Sequence, residues 1–394
     1  MRKAYLIDPF SSGNYHEVIN MSYLYLISKC YDEVIYICDE SSYNNCLEKL
    51  SAQGLTVTNT KHIQLKSKHY KDKKFWGSIN YCRNHFRGSF FDIWYYIKSD
   101  KGSDVFFNNN ILGGLNTINY ISKIKKNRLY IMCHSEINII EKENIGYGEI
   151  ITRFFVRRFL NGKISPYLNC IFLGDRIRNN VLVHTNPRNV DRIKSFDHPY
   201  FRKNINVPPF DFQDNSGKIK IGIPSLINKN RGLDKLVYLL NNKTEKSNYD
   251  IYAIGRVVTD RSIDELPLIQ LNKSSNLLST EQYVSYTSAM DAMILFVPHN
   301  KFGASGGVLE AIWEQKIIFS LENDYIRYIF EKFGNMGYIF DNIDDMVSFL
   351  NSHLNEIENS KPMFLQNLKK AKEALYPANM IEEFKKVTIL QSKI

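Results

Sequence analysis

The N-terminal half of the chain alternates two kinds of segment. Short apolar runs, "AYLI" at 4–7, "EVIYIC" at 33–38, "DVFF" at 104–107, "RLYIMC" at 128–133 and "NCIFLG" at 169–174, are rich in Ile, Val, Tyr and Phe. Between them lie stretches of helical length, such as 15–29 and 148–159. Apolar runs without polar alternation mean strands covered on both faces, and strands separated by helices run parallel. The pattern predicts a doubly wound α/β domain. It breaks over 201–218, "FRKNINVPPFDFQDNSGK", where Pro208, Pro209, Gly217 and several Asn and Asp leave no period. It restarts with "IKIGI", "YDIYAIG", "AMILFV" and "KIIFS", and ends in helical stretches from about Met346, interrupted at Pro377. The expected organisation is a Rossmann-like domain over 1–200, a linker over 201–217, a second Rossmann-like domain over 218–376, and a C-terminal helix over 377–394 packing back on the first domain. Two such domains facing a cleft bind ligands beyond the carboxyl ends of their strands. Loops that follow strands are therefore the places to look for chemistry.

Two loops of the second half stand out. After "AMILFV" and the turn "PHNKFG", four small residues, Ala304, Ser305, Gly306 and Gly307, open a helix whose first charged residue is Glu310. A helix N-terminus presents unpaired N–H groups and a partial positive charge, and glycine lets an anion approach closely. Ser305 is a good N-cap type. This stretch suits a diphosphate, with Glu310 one turn inside to accept from a sugar or ribose hydroxyl. It equally suits a turn whose glycines are dictated by tight packing, with Glu310 solvated. The second loop, "GIPSLINKNRGLDKLV" at 222–237, puts Lys229 and Arg231 between a strand and a helix that begins near Gly232. Such cations suit a pyrophosphate; taken alone they also suit a solvated surface.

Composition narrows the class. The chain has 394 residues, 44% apolar and 23% charged, as expected of a folded protein with two cores. No window has the length and apolarity of a membrane span, and the N-terminus reads as a first strand rather than a secretory signal. The six cysteines, Cys30, Cys38, Cys46, Cys82, Cys133 and Cys170, form no C-x-x-C pair and are expected to be reduced and buried, in a cytoplasmic setting. Charge is uneven. Residues 1–200 hold 28 Lys and Arg against 18 acids, whereas residues 201–394 hold 23 of each. The excess of the first half suggests an anionic partner. In "KSKHYKDKKFWGSINYCRNHFRGSFF" at 66–91 and "RFFVRRFLNGK" at 153–163, basic residues sit among aromatics. That suits anionic lipid headgroups; a solvated face over buried aromatics is the plainer alternative. Nucleic acid is not expected, because no RRM, KH or zinc-finger signature occurs.

The two loops together resemble the GT-B glycosyltransferases. The layout is a strand, a basic loop ending in Arg-Gly, and some 70–80 residues later a strand, a Pro, a glycine-rich turn and "LEA". The closest resemblance is to the retaining, metal-independent group of bacterial polysaccharide and lipopolysaccharide enzymes with an E-x7-E motif. "STEQYVSYTSAMDAMILFVP" at 279–298 is also similar to that group's segment before the donor loop. The resemblance implies a nucleotide-sugar donor, UDP or GDP type, on the C-terminal domain. Arg231, helped by Lys229, would grip phosphate; Ser305, Gly306 and Gly307 would contact the diphosphate; Glu310 would hold the ribose. Two departures are visible. The first Glu of E-x7-E falls at Phe302, and the usual Gly-x-Pro after the helix is "EQK".

In the first half, "DPFSSGNYHEVI" puts Gly13 and His16 after the first strand, where the family has a glycine-rich donor or acceptor loop. "YIMCHSEI" puts His134 and Glu136 at the end of another, and His134 resembles the family's strand-end His near the reacting sugar; these two are the expected catalytic residues. No D-x-D occurs, so the diphosphate is expected to be neutralised by Lys229, Arg231 and helix N-termini rather than by a metal. The function implied is sugar transfer from a nucleotide-sugar to a glycan or lipid-linked glycan acceptor in bacterial surface-polysaccharide synthesis. It would be retaining, and would take place in the cytoplasm at the inner face of the membrane. The rivals are a non-catalytic GT-B-like scaffold and a different nucleotide-sugar enzyme such as an epimerase.

Overall fold

The structure, a computed structural model, describes residues 1–11, 16–65, 77–108, 112–134, 136–142, 146–202, 205–212, 217–259, 267–272, 278–296 and 301–390. The chain divides into two compact units. One comprises Met1–Lys203, Lys301–Ala304 and Leu375–Ile394; the other comprises Asn204–Asn300 and Ser305–Ala374.

Unit 1 runs β1 (Lys3–Ile7), α1 (Glu17–Cys30), β2 (Glu33–Cys38), α2 (Glu40–Ser51), β3 (Thr60–Gln64), α3 (Gly77–Lys98), β4 (Asp104–Phe107), α4 (Leu115–Lys125), β5 (Leu129–Cys133), α5 (Tyr147–Asn161), β6 (Leu168–Phe172), α6 (Asp175–Leu182) and β7 (Ile193–Ser195). All seven strands are parallel, in the order β3-β2-β1-β4-β5-β6-β7. The inner strands are apolar because both faces are covered: β4 and β5 are buried at every position. Right-handed crossovers put the helices before and after the reversal at β1 on opposite faces. Accordingly α1 packs on α2, while α3, α4 and α5 pack on one another. Four of the cysteines, Cys38, Cys46, Cys133 and Cys170, are buried free thiols.

Unit 2 runs β8 (Ile219–Ile223), α7 (Leu233–Asn241), β9 (Tyr249–Ala253), β10 (Leu268–Gln270), α8 (Thr280–Ser288), β11 (Ala292–Leu295), α9 (Gly306–Trp313), β12 (Ile317–Leu321), α10 (Asp324–Phe333), β13 (Gly337–Phe340), α11 (Ile343–Ser352) and α12 (Ile357–Leu375). Its six strands are parallel in the order β10-β9-β8-β11-β12-β13. Its core gathers Ile221, Leu236, Ile251, Ile294, Phe319 and Phe364. After α9, Gln315 takes φ 53, while Lys316 N–H closes on the Ala311 carbonyl at 2.9 Å. This is a left-handed helix end, a place where glycine is usual.

The chain ends in unit 1. Following Pro377, α13 (Ile381–Lys385) packs on α1, and Phe384 is fully buried against Tyr23, Phe106 and Phe196.

Candidate functional site

Unit 2 reverses its strand order between β8 and β11, which lie side by side with Ala292 opposite Ile221 and Met293 opposite Gly222. Connections leaving the carboxyl ends of such a pair diverge to opposite faces of the sheet and leave a crevice. The β8 loop enters it first. The Asn228 carbonyl accepts from the N–H groups of Arg231 and Leu233 at 2.8 and 3.1 Å, and Asn228 Oδ1 accepts from Asn230 N–H at 3.0 Å. This side-chain-closed turn leaves Lys229 and Arg231 exposed. Gly232 then starts α7 with φ 74, and a Cβ there would lie 2.4 Å from the Cβ of Phe296, just beyond β11. Only glycine fits, so the basic loop is pinned against the end of the neighbouring strand.

The chain that leaves β11 returns as α9. Ser305 occupies the N-cap position, but its side chain makes no capping hydrogen bond, contrary to the expectation from sequence. Its φ −107 and ψ 114 are those of an ordinary N-cap, yet the first-turn N–H groups receive nothing from its hydroxyl. Those donors have no intrahelical acceptor either, the condition in which a helix end takes an anion. Among the described residues a Cβ at Gly306 would meet no atom within 4 Å, and one at Gly307 would make only an ordinary contact, 3.5 Å from Leu295 Cδ2. Packing against the described residues therefore does not explain the glycines. Glu310 is half-buried one turn into α9. A hollow of about 780 Å³ also touches the basic loop, lined by Asn228, Lys229, Leu233, Val237 and Tyr238 among others. It follows the flank of α7 and includes neither Arg231 nor any residue of 305–310, so it is distinct from the crevice.

Unit 1 has its own reversal, between β1 and β4. Asp8, fully buried just past β1, accepts at Oδ1 from the N–H groups of Phe10 and Ser11 at 3.2 and 3.0 Å and so shapes the start of the loop. Gly13 lies outside the described residues. His16 ends the loop with φ 55 as the residue before α1. Beyond β4, Asn108 hydrogen-bonds Asn20 Oδ1 through its side chain at 2.5 Å, and its carbonyl lies 2.7 Å from Nε2 of His134, just past β5. A carbonyl can only accept, so Nε2 carries the proton and the lone pair of the neutral ring sits on Nδ1. Burial lowers the pKa of His134, opposed by the Asn108 carbonyl and the Asp8 charge. The rings of His16 and His134 meet edge-on at 5.7 Å. His198, past β7, is close enough for both to lower its pKa, which burial has already depressed, to about 3. Three imidazoles thus share the carboxyl end of this sheet, and burial holds those of His134 and His198 toward the neutral form. Glu136 opens a short 3-10 turn, Glu136–Ile140.

No protein-family model matches the chain, and no curated protein matches it in sequence. Solved structures match it over their whole length. TarM superposes with a TM-score of 0.62 at 11% identity, covering 99% of both chains. HepE of Anabaena, solved with UDP-glucose, gives 0.56 at 9% identity over 98% of this chain and 99% of that one. The N-terminal domain of Candida albicans trehalose-6-phosphate phosphatase gives 0.59 at 9% over 99% and 97%.

The fold is GT-B. In unit 2 the loop of Lys229 and Arg231 follows β8, the turn of Ser305, Gly306 and Gly307 with Glu310 one turn on comes after β11, and these two strands are neighbours. Phe302 is placed elsewhere. It belongs to unit 1, is 2% exposed and packs against the His184 ring at 5.8 Å. Beside it the Lys301 carbonyl accepts from Asn180 Nδ2 at 2.7 Å, and Lys301 Nζ pairs with Glu141 at 3.0 Å. The position that departs from E-x7-E is thus a buried residue of unit 1. Among the described residues no three His, Cys, Asp or Glu side chains converge as metal ligands.

Sequence reasoning missed Asp8, Asn108 and His198. Asp8 was visible in the Asp-Pro that follows the first strand. Asn108 was hidden in an Asn-rich chain, and His198 follows a three-residue strand with no apolar signature.

Proposed function

We propose that this chain is a glycosyltransferase that takes a UDP- or GDP-sugar on unit 2 and transfers the sugar to a glycan or lipid-linked glycan acceptor. The observation that carries the reading is the coincidence, at the strand-order reversal of unit 2, of a pinned basic loop with a helix end whose glycines no packing against the described residues explains. Arg231 and Lys229 neutralise the donor diphosphate, the N–H groups at Gly306 and Gly307 cradle it, and Glu310 accepts from the ribose hydroxyls. These groups bind charge that grows on the leaving diphosphate, so they favour the transition state over the ground state. On unit 1, His134, held in orientation by the hydrogen bond from its Nε2 to the Asn108 carbonyl, and Glu136, two residues on in sequence, whose side chain lies outside the described residues, are the catalytic residues of this reading. Gly13 and His16, the first of them outside the described residues, are assigned to donor contact in this reading. A retaining outcome without a metal, a setting in bacterial surface-polysaccharide assembly, and work in the cytoplasm at an anionic membrane complete the reading.

One observation favours a second reading, a non-catalytic GT-B-like protein: Phe302 is apolar and buried where the family uses a Glu toward the donor sugar. A thermal-shift panel of UDP-, GDP-, ADP-, CMP- and dTDP-sugars, without metal, on wild type and Glu310→Gln tests the donor site. A ligand at 100 times its Kd stabilises the folded state by about 2.7 kcal/mol. A shift with one nucleotide that weakens in Glu310→Gln is expected; no shift with any of them refutes the donor site. Hydrolysis or transfer of the bound sugar then excludes the scaffold, and dependence on an acceptor excludes an epimerase.

A further inference from the structure

The helical layer formed by α3, α4 and α5 has an outer surface unlike that of an ordinary amphipathic helix, whose solvent side is polar. On α3, Phe90 and Trp94 stand one turn apart with stacked rings, and Lys98 follows one turn later with Nζ 4.2 Å from the Trp94 ring centre. On α5, Ile150, Phe154 and Arg158 repeat the same spacing, and on α4 Tyr120 and Ile124 do so. These apolar side chains are exposed: 44% for Trp94, 60% for Phe154 and 66% for Ile124. Of the nineteen large hydrophobic side chains exposed among the described residues, nine lie on these three helices.

The charge on the same helices has one sign. α3, α4 and α5 carry three, two and three Lys or Arg against one, no and one acid. Of the two acids, Asp92 is fully buried, and Glu149 is tied to Lys142 at 2.6 Å and to Gly146 N–H at 2.9 Å. Lys98, Lys123 and Arg158 are exposed and have no ion pair among the described residues.

We propose that the outer face of α3–α5 docks on an anionic lipid bilayer, seating its aromatics and isoleucines at the headgroup boundary and its cations on lipid phosphates. This deepens the functional reading above, on which it rests for the need of a membrane partner. The residue types select this occupant. Trp and Tyr prefer the bilayer interface, Lys and Arg bind anionic headgroups, and isoleucines bury only in an apolar phase. Nucleic acid would use the cations and aromatics but has no place for Ile97, Ile124, Ile150 and Ile151. A second copy of the same face would set like charges against each other.

The test is co-sedimentation of the full chain with vesicles of phosphatidylcholine containing 30% phosphatidylglycerol, and of phosphatidylcholine alone. Wild type should bind the anionic vesicles and bind the neutral ones far less. Trp94→Glu/Phe154→Glu should bind at least tenfold less. Lys123→Ala and Arg158→Ala should each cost about a factor of five, since one cation near such a surface contributes about that much. Lys123 and Arg158 are exposed and in no ion pair among the described residues, so their single variants should keep the wild-type melting temperature, while Trp94→Glu, which loses its contacts with Phe90 and Lys98, should lower it slightly. Wild-type failure to bind the anionic vesicles, or equal binding by wild type and variants, overturns the proposal. So does tighter retention on a short RNA duplex that the same variants abolish. Nucleotide-sugar thermal shifts on the same variants should be unchanged, so loss of the membrane face and loss of the donor site are read separately.

Discussion

Gly306→Ala separates folding from binding at the proposed diphosphate cradle. Among the described residues the added methyl meets no atom within 4 Å, and Gly306 is absent from the positions with positive φ. No described residue resists it. Replacing glycine by alanine at a compatible helical position removes unfolded-state entropy and stabilises by about 0.4–1 kcal/mol. For a unit of this size that is a rise in Tm of roughly 1–4 °C. The same methyl stands in the space through which an anion would approach the first N–H groups of α9. A lost hydrogen bond to a charged group is about 1.5–3 kcal/mol, or roughly 10- to 150-fold in affinity. The variant should therefore melt higher and bind the nucleotide-sugar at least tenfold more weakly, by differential scanning fluorimetry and isothermal titration calorimetry. Equal affinity in a stabilised variant would refute the cradle. A destabilised variant would refute the packing argument on which it stands.

Gly232→Ala should act in the opposite sense. The left-handed conformation costs about 1–2 kcal/mol and the contact with Phe296 about 1–3 kcal/mol more, so urea denaturation should show a loss of roughly 2–5 kcal/mol. Gln315→Gly should stabilise by up to about 1 kcal/mol, because glycine relieves the left-handed helix end; no gain in thermal stability would count against the assigned conformation. Among the described residues Asp92 has no hydrogen-bond partner at either carboxyl oxygen, and burial, reinforced by the Asp8 charge, raises its pKa well above 3.8. The unfolded chain loses this proton above about pH 4 and the folded chain keeps it, so stability falls as pH rises from there; Asp92→Asn should stabilise at pH 7 and not at pH 3.5. His134 and His198 have the reverse sign. Their folded pKa values lie below 6.5, with His198 at about 3, so the unfolded chain takes up protons first and stability falls as pH drops from about 6.5 toward 3. His198→Gln should flatten that part of the stability profile measured by urea titration.

Both sheets were legible in sequence except at their edges. The strands read from apolar runs became the inner strands β1, β2, β4, β5 and β6 of unit 1 and β8, β9, β11 and β12 of unit 2. The four that were not read, β3, β7, β10 and β13, are the four edge strands. The reason is physical. An inner parallel strand is buried on both faces and must be apolar throughout, whereas an edge strand is half-solvated and reads as loop. "TKHIQ", "IKS" and "LIQ" have the composition of connections. His198 was lost with β7, because a loop that follows an unrecognised strand does not look like a strand end.

The sequence by itself determined the alternation of strand and helix, the restart of that pattern in a second half, the basic bias of the first half and the glycine-rich opening of α9. These are local properties: periodicity, charge and backbone permissiveness are written residue by residue. Tertiary structure decided which strand ends are neighbours, so that the strands preceding the Lys229/Arg231 loop and the Ser305–Gly307 turn lie side by side, and that His16, His134 and His198 share one end of a sheet. It also decided that Gly232 is required by Phe296, just beyond another strand, while Gly306 is required by no described side chain, and that Phe302 is a core residue of unit 1. Adjacency across a sheet depends on strand order, and strand order is fixed by packing between segments far apart in the chain.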